Sequence, residues 1–192
     1  MPWTPLFRSG GAWPGASGPD PASGDPAKID DLWHAAVNGR GKFVAATNPQ
    51  MFAQALRSAL AAVGPGGVIC LSDGTYTEAI ESTRSGQAGK PITVRALNDG
   101  KATIDGQGVR RPIQLGHDWW VIEGLVARNG PTVIHVRGNN NVLRRVSAYD
   151  ADVDDNSSVI LLWGNNNLLE DAVAAGSGRY MVEVFQGQGN TL

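Results

Sequence analysis

Trp120-Val121-Ile122-Glu123-Gly124-Leu125-Val126-Ala127 returns as Asn141-Val142-Leu143-Arg144-Arg145-Val146-Ser147-Ala148, and again as Asn167-Leu168-Leu169-Glu170-Asp171-Ala172-Val173-Ala174. A fourth copy starts at Asn190-Thr191-Leu192. The offsets are 21 (120 to 141), 26 (141 to 167) and 23 (167 to 190) residues. A second motif recurs in step: the alternating pairs Ile113/Leu115, Ile134/Val136, Ile160/Leu162 and Val182/Val184. A glycine follows each pair within three residues (Gly116, Gly138, Gly164, Gly187), then an Asn-rich turn at 139–141, at 165–167 and at Asn190.

A period of about two dozen residues built from period-2 strands excludes a helical repeat, and the Leu/Asn template of a leucine-rich repeat is missing. Winding the chain so that each strand pairs with its copy one circuit later satisfies the backbone and stacks like on like, at about 4.8 Å per coil. Val121, Val142 and Leu168 then form one buried aliphatic column, and Leu125, Val146 and Ala172 another. The stacked asparagines share amide hydrogen bonds. The expected fold is all-β: a right-handed parallel β-helix with one N-terminal capping α-helix.

That helix is read at Phe52, Leu56, Leu60 and Val63, whose spacing is helical, with Thr47 or Asn48 as its cap, Pro49 in its first turn and Gly64-Pro65-Gly66-Gly67 as its stop. It lies ahead of the strands and has an apolar face to bury, which closing the open end of a strand stack would do. Residues 1–27, rich in Gly, Pro, Ser and Ala, read as a flexible leader, 28–66 as an N-terminal segment with the helix, and 67–192 as the coils. Phe43-Val44-Ala45 is a further strand candidate. The chain stops inside a repeat, so it is expected to be a piece of a longer chain, or to fray or self-associate through its open last coil.

Of 192 residues only 18% are charged, with 16 basic against 18 acidic, while 25 are glycine. That balance makes no case for nucleic acid, and no apolar run is long enough to span a membrane. The start, Met1-Pro2-Trp3-Thr4-Pro5, lacks the charged and apolar regions of a secretory signal, which leaves localisation open at the level of composition. The single cysteine, Cys70, allows no internal disulfide and reads as a small buried hydrophobe within Val68-Ile69-Cys70-Leu71.

The stretches Gly74-Thr75-Tyr76-Thr77-Glu78, Ser85-Gly86-Gln87-Ala88-Gly89-Lys90-Pro91-Ile92-Thr93-Val94-Arg95-Ala96, Thr103-Ile104-Asp105-Gly106 and Trp120-Val121-Ile122-Glu123-Gly124-Leu125 resemble the opening coils of pectate-lyase-like β-helix proteins. They are similar in particular to polysaccharide lyases of the chondroitinase B and alginate lyase type. The resemblance implies a carbohydrate-active domain, part of a lyase acting on an acidic polysaccharide, and an extracellular or cell-surface setting. The catalytic set in such lyases (a Lys or Arg base, an Arg, at times acidic calcium ligands) comes from later coils, and no position here carries its motif. The alternative is a non-catalytic repeat protein that binds glycans or surfaces, or spaces other modules.

Alternation places His135 and Arg137, Leu161 and Trp163, and Glu183 and Phe185 on the outer face of successive coils. A Trp ring offers a plane to a sugar's C–H face, and Arg, His and Glu can bond hydroxyls or a uronate carboxylate. His135, Arg137, Trp163, Glu183 and Phe185 are therefore the expected glycan-binding residues; the competing reading has the aromatics covered by a loop and the charges merely solvated. Asp150, Asp152, Asp154 and Asp155 lie in the longest coil, where an acidic loop could hold calcium or simply form solvated turns. Arg144 and Arg145 are expected to face Glu170 and Asp171 as a stacked ion-pair ladder. His117-Asp118 suggests acid–base work only with a nucleophile nearby, and otherwise a turn.

Overall fold

The computed structural model describes residues 49–153 and 156–192. The leader read at 1–27, the Phe43-Val44-Ala45 strand candidate and the helix-capping positions Thr47 and Asn48 lie outside the described residues.

Each circuit of the chain lays down three short strands. The first coil is β1 (Val68–Leu71), β2 (Gly74–Tyr76) and β3 (Ile80–Glu81), and the second β4 (Ile92–Ala96), β5 (Ala102–Asp105) and β6 (Ile113–Leu115). The third is β7 (Trp120–Glu123), β8 (Leu125–Gly130) and β9 (Ile134–Val136), and the fourth β10 (Val142–Arg144), β11 (Ser147–Ala151) and β12 (Ser158–Leu162). The fifth is β13 (Leu168–Glu170), β14 (Val173–Ala175) and β15 (Tyr180–Val184). Like strands of successive coils pair in parallel into three five-stranded sheets. The result is a parallel β-solenoid of about five turns.

The registers reproduce the repeat read from the sequence: Val121 pairs with Val142 and Val142 with Leu168, and a further bridge joins Leu168 to Thr191. One expectation is corrected. Val121, Val142 and Leu168 do stack, but on the half-buried outer side of the first sheet. The buried column is the neighbouring one, Ile69, Val94, Ile122, Leu143 and Leu169. Successive side chains leave opposite faces of a strand, so a one-residue shift exchanges core for surface. The same alternation puts Ile69 and Leu71 inside and Cys70 outside, exposed, with the Arg95 Nε–H donating to its Sγ at 3.4 Å. The second expected column, Leu125, Val146 and Ala172, does pack into the core.

In the third sheet Ile113, Leu115, Ile134, Val136, Ile160 and Leu162 are fully buried. At about 1.5–3 kcal/mol for each large apolar side chain taken from water, these columns are the main source of stability. Val182 and Val184 continue them in register with Ile160 and Leu162, yet are 38% and 42% exposed.

The corner after the third sheet explains the glycine and asparagine repeats. A Cβ on Gly138 would lie 2.0 Å from the His117 carbonyl oxygen, on Gly164 1.9 Å from that of Gly138, and on Gly187 2.3 Å from that of Gly164. Only glycine permits the coils to approach so closely. Beside them the side-chain carbonyls of Asn141, Asn167 and Asn190 accept the backbone N–H groups of Trp120, Asn141 and Asn167 at 2.7–2.8 Å. A second ladder runs outside it: Asp118 accepts from the Asn139 N–H, Asn139 from Asn165, and Asn165 from Gln188. The asparagines thus stitch coils mainly by capping backbone donors, where side-chain-to-side-chain bonds were expected.

One helix is present among the described residues, α1 (Pro49–Ala62). Its Leu56, Ala59 and Leu60 are buried in the same core as the first coil, with Val63 packed against it. The Thr83 hydroxyl donates to the Leu60 carbonyl at 2.9 Å, and Arg57 pairs with Glu78 at 2.6 Å. Gly66 takes φ +81° where the chain turns out of the helix into β1.

Candidate functional site

Outward-facing residues of the third sheet form a row across the coils, Glu81, Gln114, His135, Leu161 and Glu183, each paired in register with the next. The residue that follows each of the last three strands, Arg137, Trp163 and Phe185, extends this face towards the corner. Each donates its backbone N–H to the preceding coil, to the Leu115, Val136 and Leu162 carbonyls. The sheet thereby sets the spacing at which these side chains meet.

The rings form a ladder. His135 and Trp163 stack with centroids 5.9 Å apart and planes inclined by 22°; Trp163 and Phe185 meet edge-to-face at 5.3 Å. The Arg137 guanidinium carbon sits 5.0 Å from the Trp163 ring centre, within cation–π range. The Trp163 indole N–H donates to Gln186 Oε1 at 3.2 Å. Trp163 and Phe185 remain 36% and 44% exposed. The structure therefore brings together His135, Arg137, Trp163 and Phe185, four of the residues read from the sequence. Glu183 stands on the same row and accepts a hydrogen bond from the Ser158 hydroxyl. Arg111, Gln114 and Gln186 also belong to these surroundings and were missed; the alternation of Ile113 and Leu115 was a signal for Gln114, whereas Arg111 and Gln186 lie outside the alternating pairs.

His135 departs from expectation. It is on the outer face yet only 2% exposed, and neither ring nitrogen has a hydrogen-bond partner. Burial first, then the positive charges of Arg111 and Arg137, push its pKa down to about 4, so the ring is neutral at neutral pH.

The acidic stretch is placed in part. Asp154 and Asp155 lie outside the described residues. Asp150 takes φ +59° and accepts the Ser177 N–H at 3.2 Å, and a Cβ on Gly176, which packs beside it, would come 2.1 Å from Asp150 Oδ1. Asp150 and Asp152 line an open cleft of about 430 Å³ with Gln107, Asn129 and Ser177. Asn129, Asp150 and Gly176 all have positive φ and stack at the corner after the second sheet. That run of residue types tolerant of the left-handed region was a signal for this corner. Among the described residues no group of three or more His, Cys, Asp or Glu side chains could hold a metal ion.

The remaining candidates are structural in their geometry. The Ser82 hydroxyl oxygen accepts the Gly116 and His117 N–H groups at 2.8 and 3.1 Å and lies 2.9 Å from His117 Nδ1. The two backbone N–H groups tie the Ser82 hydroxyl and His117 into the turn. Asp118 is the foot of the outer asparagine ladder. Arg144 pairs with Glu170 as expected. Arg145 does not meet Asp171: its backbone, at φ +49°, turns the side chain back to Asp99, at 2.6 Å, and to Glu123.

The chondroitinase B family model matches residues 51–178, more than half of the chain. The chain belongs to the chondroitinase B family. This family member is 32% identical over 106 residues to pectate lyase L of Dickeya chrysanthemi, covering 47% of this chain and 25% of that protein. It is 33% identical over the same length to pectate lyase L of Dickeya dadantii (strain 3937). The chain spans about a quarter of the length of these curated relatives. Two solved structures share its fold. A PL6 family polysaccharide lyase from Pseudopedobacter saltans superposes with a TM-score of 0.54 at 21% identity, over 72% of this chain and 34% of that one. An alginate lyase from Paenibacillus sp. str. FPU-7 gives 0.56 at 17% identity, over 72% and 61%. The family resemblance read from the opening coils is thereby confirmed.

Proposed function

We propose that this chain supplies coils of a carbohydrate-active β-helix of the polysaccharide-lyase type, acting on an acidic polysaccharide outside the cell or at its surface. In this reading the outer face of the third sheet is where the polymer lies. The observation that carries the reading is Trp163, half-open to solvent with Arg137 poised over its ring. A flat ring matches the C–H face of a pyranose, while a guanidinium beside it matches a uronate carboxylate. Successive coils present such groups at the rise of the solenoid, so a chain of sugars has several points of contact.

Elimination across a uronate needs a base at the C5 proton and a cation on the carboxylate. We assign no described residue to the base. We also read the winding as right-handed, the hand that parallel crossovers take in about 98% of cases. Helix α1 is then the cap that keeps the first coil dry, a role consistent with its buried Leu56 and Leu60.

Release of unsaturated uronate, read by absorbance on alginate, pectate and chondroitin, tests the lyase. Quenching of Trp fluorescence by oligosaccharides of the same polymers tests the surface. Binding without product would favour the non-catalytic alternative, and silence in both assays would end the proposal.

A further inference from the structure

His135 is hard to account for as a structural residue. A neutral imidazole carries one donor and one acceptor, and burying both unpaired is costly. The next coil places Leu161 at the same register position, so the scaffold accepts an apolar side chain there. The nearest polar neighbour on the row, Gln114, has its Oε1 engaged by Arg111 Nη1 at 3.4 Å. Two uncompensated cations approach the ring. Arg57, Arg110, Arg128, Arg144 and Arg145 each pair with a carboxylate, whereas Arg111 and Arg137, like Arg84, Arg95 and Arg179, form no ion pair among the described residues. The carboxylates of the row, Glu81 and Glu183, lie two strands away on either side, and Glu183 is bonded to Ser158.

We propose that His135, Arg111 and Arg137 form an anion subsite on the outer face of the third sheet, and that His135 takes up a proton from solvent when a ligand carboxylate enters. This inference rests on the glycan-contact reading and goes further, naming the group recognised and its proton linkage. The carboxylate pairs with the two guanidiniums and receives a hydrogen bond from the ring; its charge reverses the field that keeps the ring neutral. The product is an imidazolium–carboxylate pair, with the proton drawn from bulk water. Trp163 stacks on the ring and Arg137 lies over Trp163; both are exposed, so rotation of their side chains opens the way to His135. Trp163 then stacks on the sugar that bears the carboxylate.

The test is an NMR titration of the imidazole signals of the full chain between pH 4.5 and 8, with and without saturating trigalacturonate. The His135 signal is identified by its loss in His135→Gln. In the free protein the ring should stay neutral over most of this range; with ligand its midpoint should rise by a unit or more. Affinity for trigalacturonate should increase as pH falls below the midpoint of the ligand-bound ring, by at most about tenfold per unit for one proton. His135→Gln should still bind, without that pH dependence, and the methyl-esterified trimer should leave the ring unmoved. If the trimer quenches Trp fluorescence while the His135 midpoint stays put, the proton-linked subsite is wrong and the contact surface stands. If no acidic or neutral oligosaccharide changes the fluorescence, both readings fall together.

Discussion

The side-chain carbonyl of Asn167 accepts the backbone N–H of Asn141, in the preceding coil, at 2.8 Å. Both residues are buried, so water cannot replace the bond. Asn167→Leu should leave the Asn141 N–H unpaired and cost about 1–3 kcal/mol. A urea transition should show it as a lower midpoint with an unchanged slope.

Glycine at 164 is required by contact. Its added Cβ would sit 1.9 Å from the Gly138 carbonyl oxygen, whereas a Cβ on Gly116 meets nothing within 4 Å. Gly164→Ala should therefore destabilise by about 3 kcal/mol, at the upper end of what overpacking usually costs. Gly116→Ala should stay within about 0.5 kcal/mol of the parent. Equal midpoints for the two variants would refute the close stacking of this corner.

Neighbours in one strand should behave in opposite ways. Leu143 faces the core and Val142 does not. Leu143→Ala should lose about 2–5 kcal/mol through the cavity it opens. Val142→Ala should lose less than about 1 kcal/mol. Calorimetric melting of the pair would read the alternation directly.

The buried imidazole links stability to pH. Its folded pKa, about 4, lies below the ordinary value of 6.5, so the unfolded chain binds the proton more readily. His135 thus allows full stability above about pH 6.5 and takes stability away as the pH falls towards 4, with no further change below. His135→Leu should match or exceed the parent at pH 7, because two unpaired polar atoms disappear. It should also lose less stability than the parent between pH 7 and 4.5, as compared by urea midpoints at each pH.

Trp163→Ala should weaken oligosaccharide binding by up to about tenfold, the range of an aromatic contact of about 0.5–1.5 kcal/mol. Its far-ultraviolet circular dichroism should be unchanged, since the ring lies outside the core. An unaltered affinity would move the contact surface elsewhere.

The later coils were readable because their repeats are close in length and composition: Val121, Val142 and Leu168 align at the very offsets at which they pair. The first two coils were less so. Their register steps, 25 (68 to 93) and 28 (93 to 121), come from turns of other lengths, and they pair unlike residues, as with Cys70, Arg95 and Glu123. Strands β2 and β3, of three and two residues, are too short to show a period. The grouping of His135, Arg137, Trp163 and Phe185 was legible from alternation. The choice of which neighbouring column is core, the partner of Arg145 and the dryness of His135 were not.

The sequence by itself determined the winding into stacked coils and which residues share a face, because strand alternation and turn chemistry act over a few neighbouring residues and repeat with the chain. Only the tertiary structure decided what each outward side chain meets. His135 is dry because Trp163, 28 positions later (135 to 163), stacks on it from the next coil, and Arg145 reaches Asp99 across 46 positions. Such contacts depend on exact register and on rotamers chosen between coils, and no local pattern encodes them.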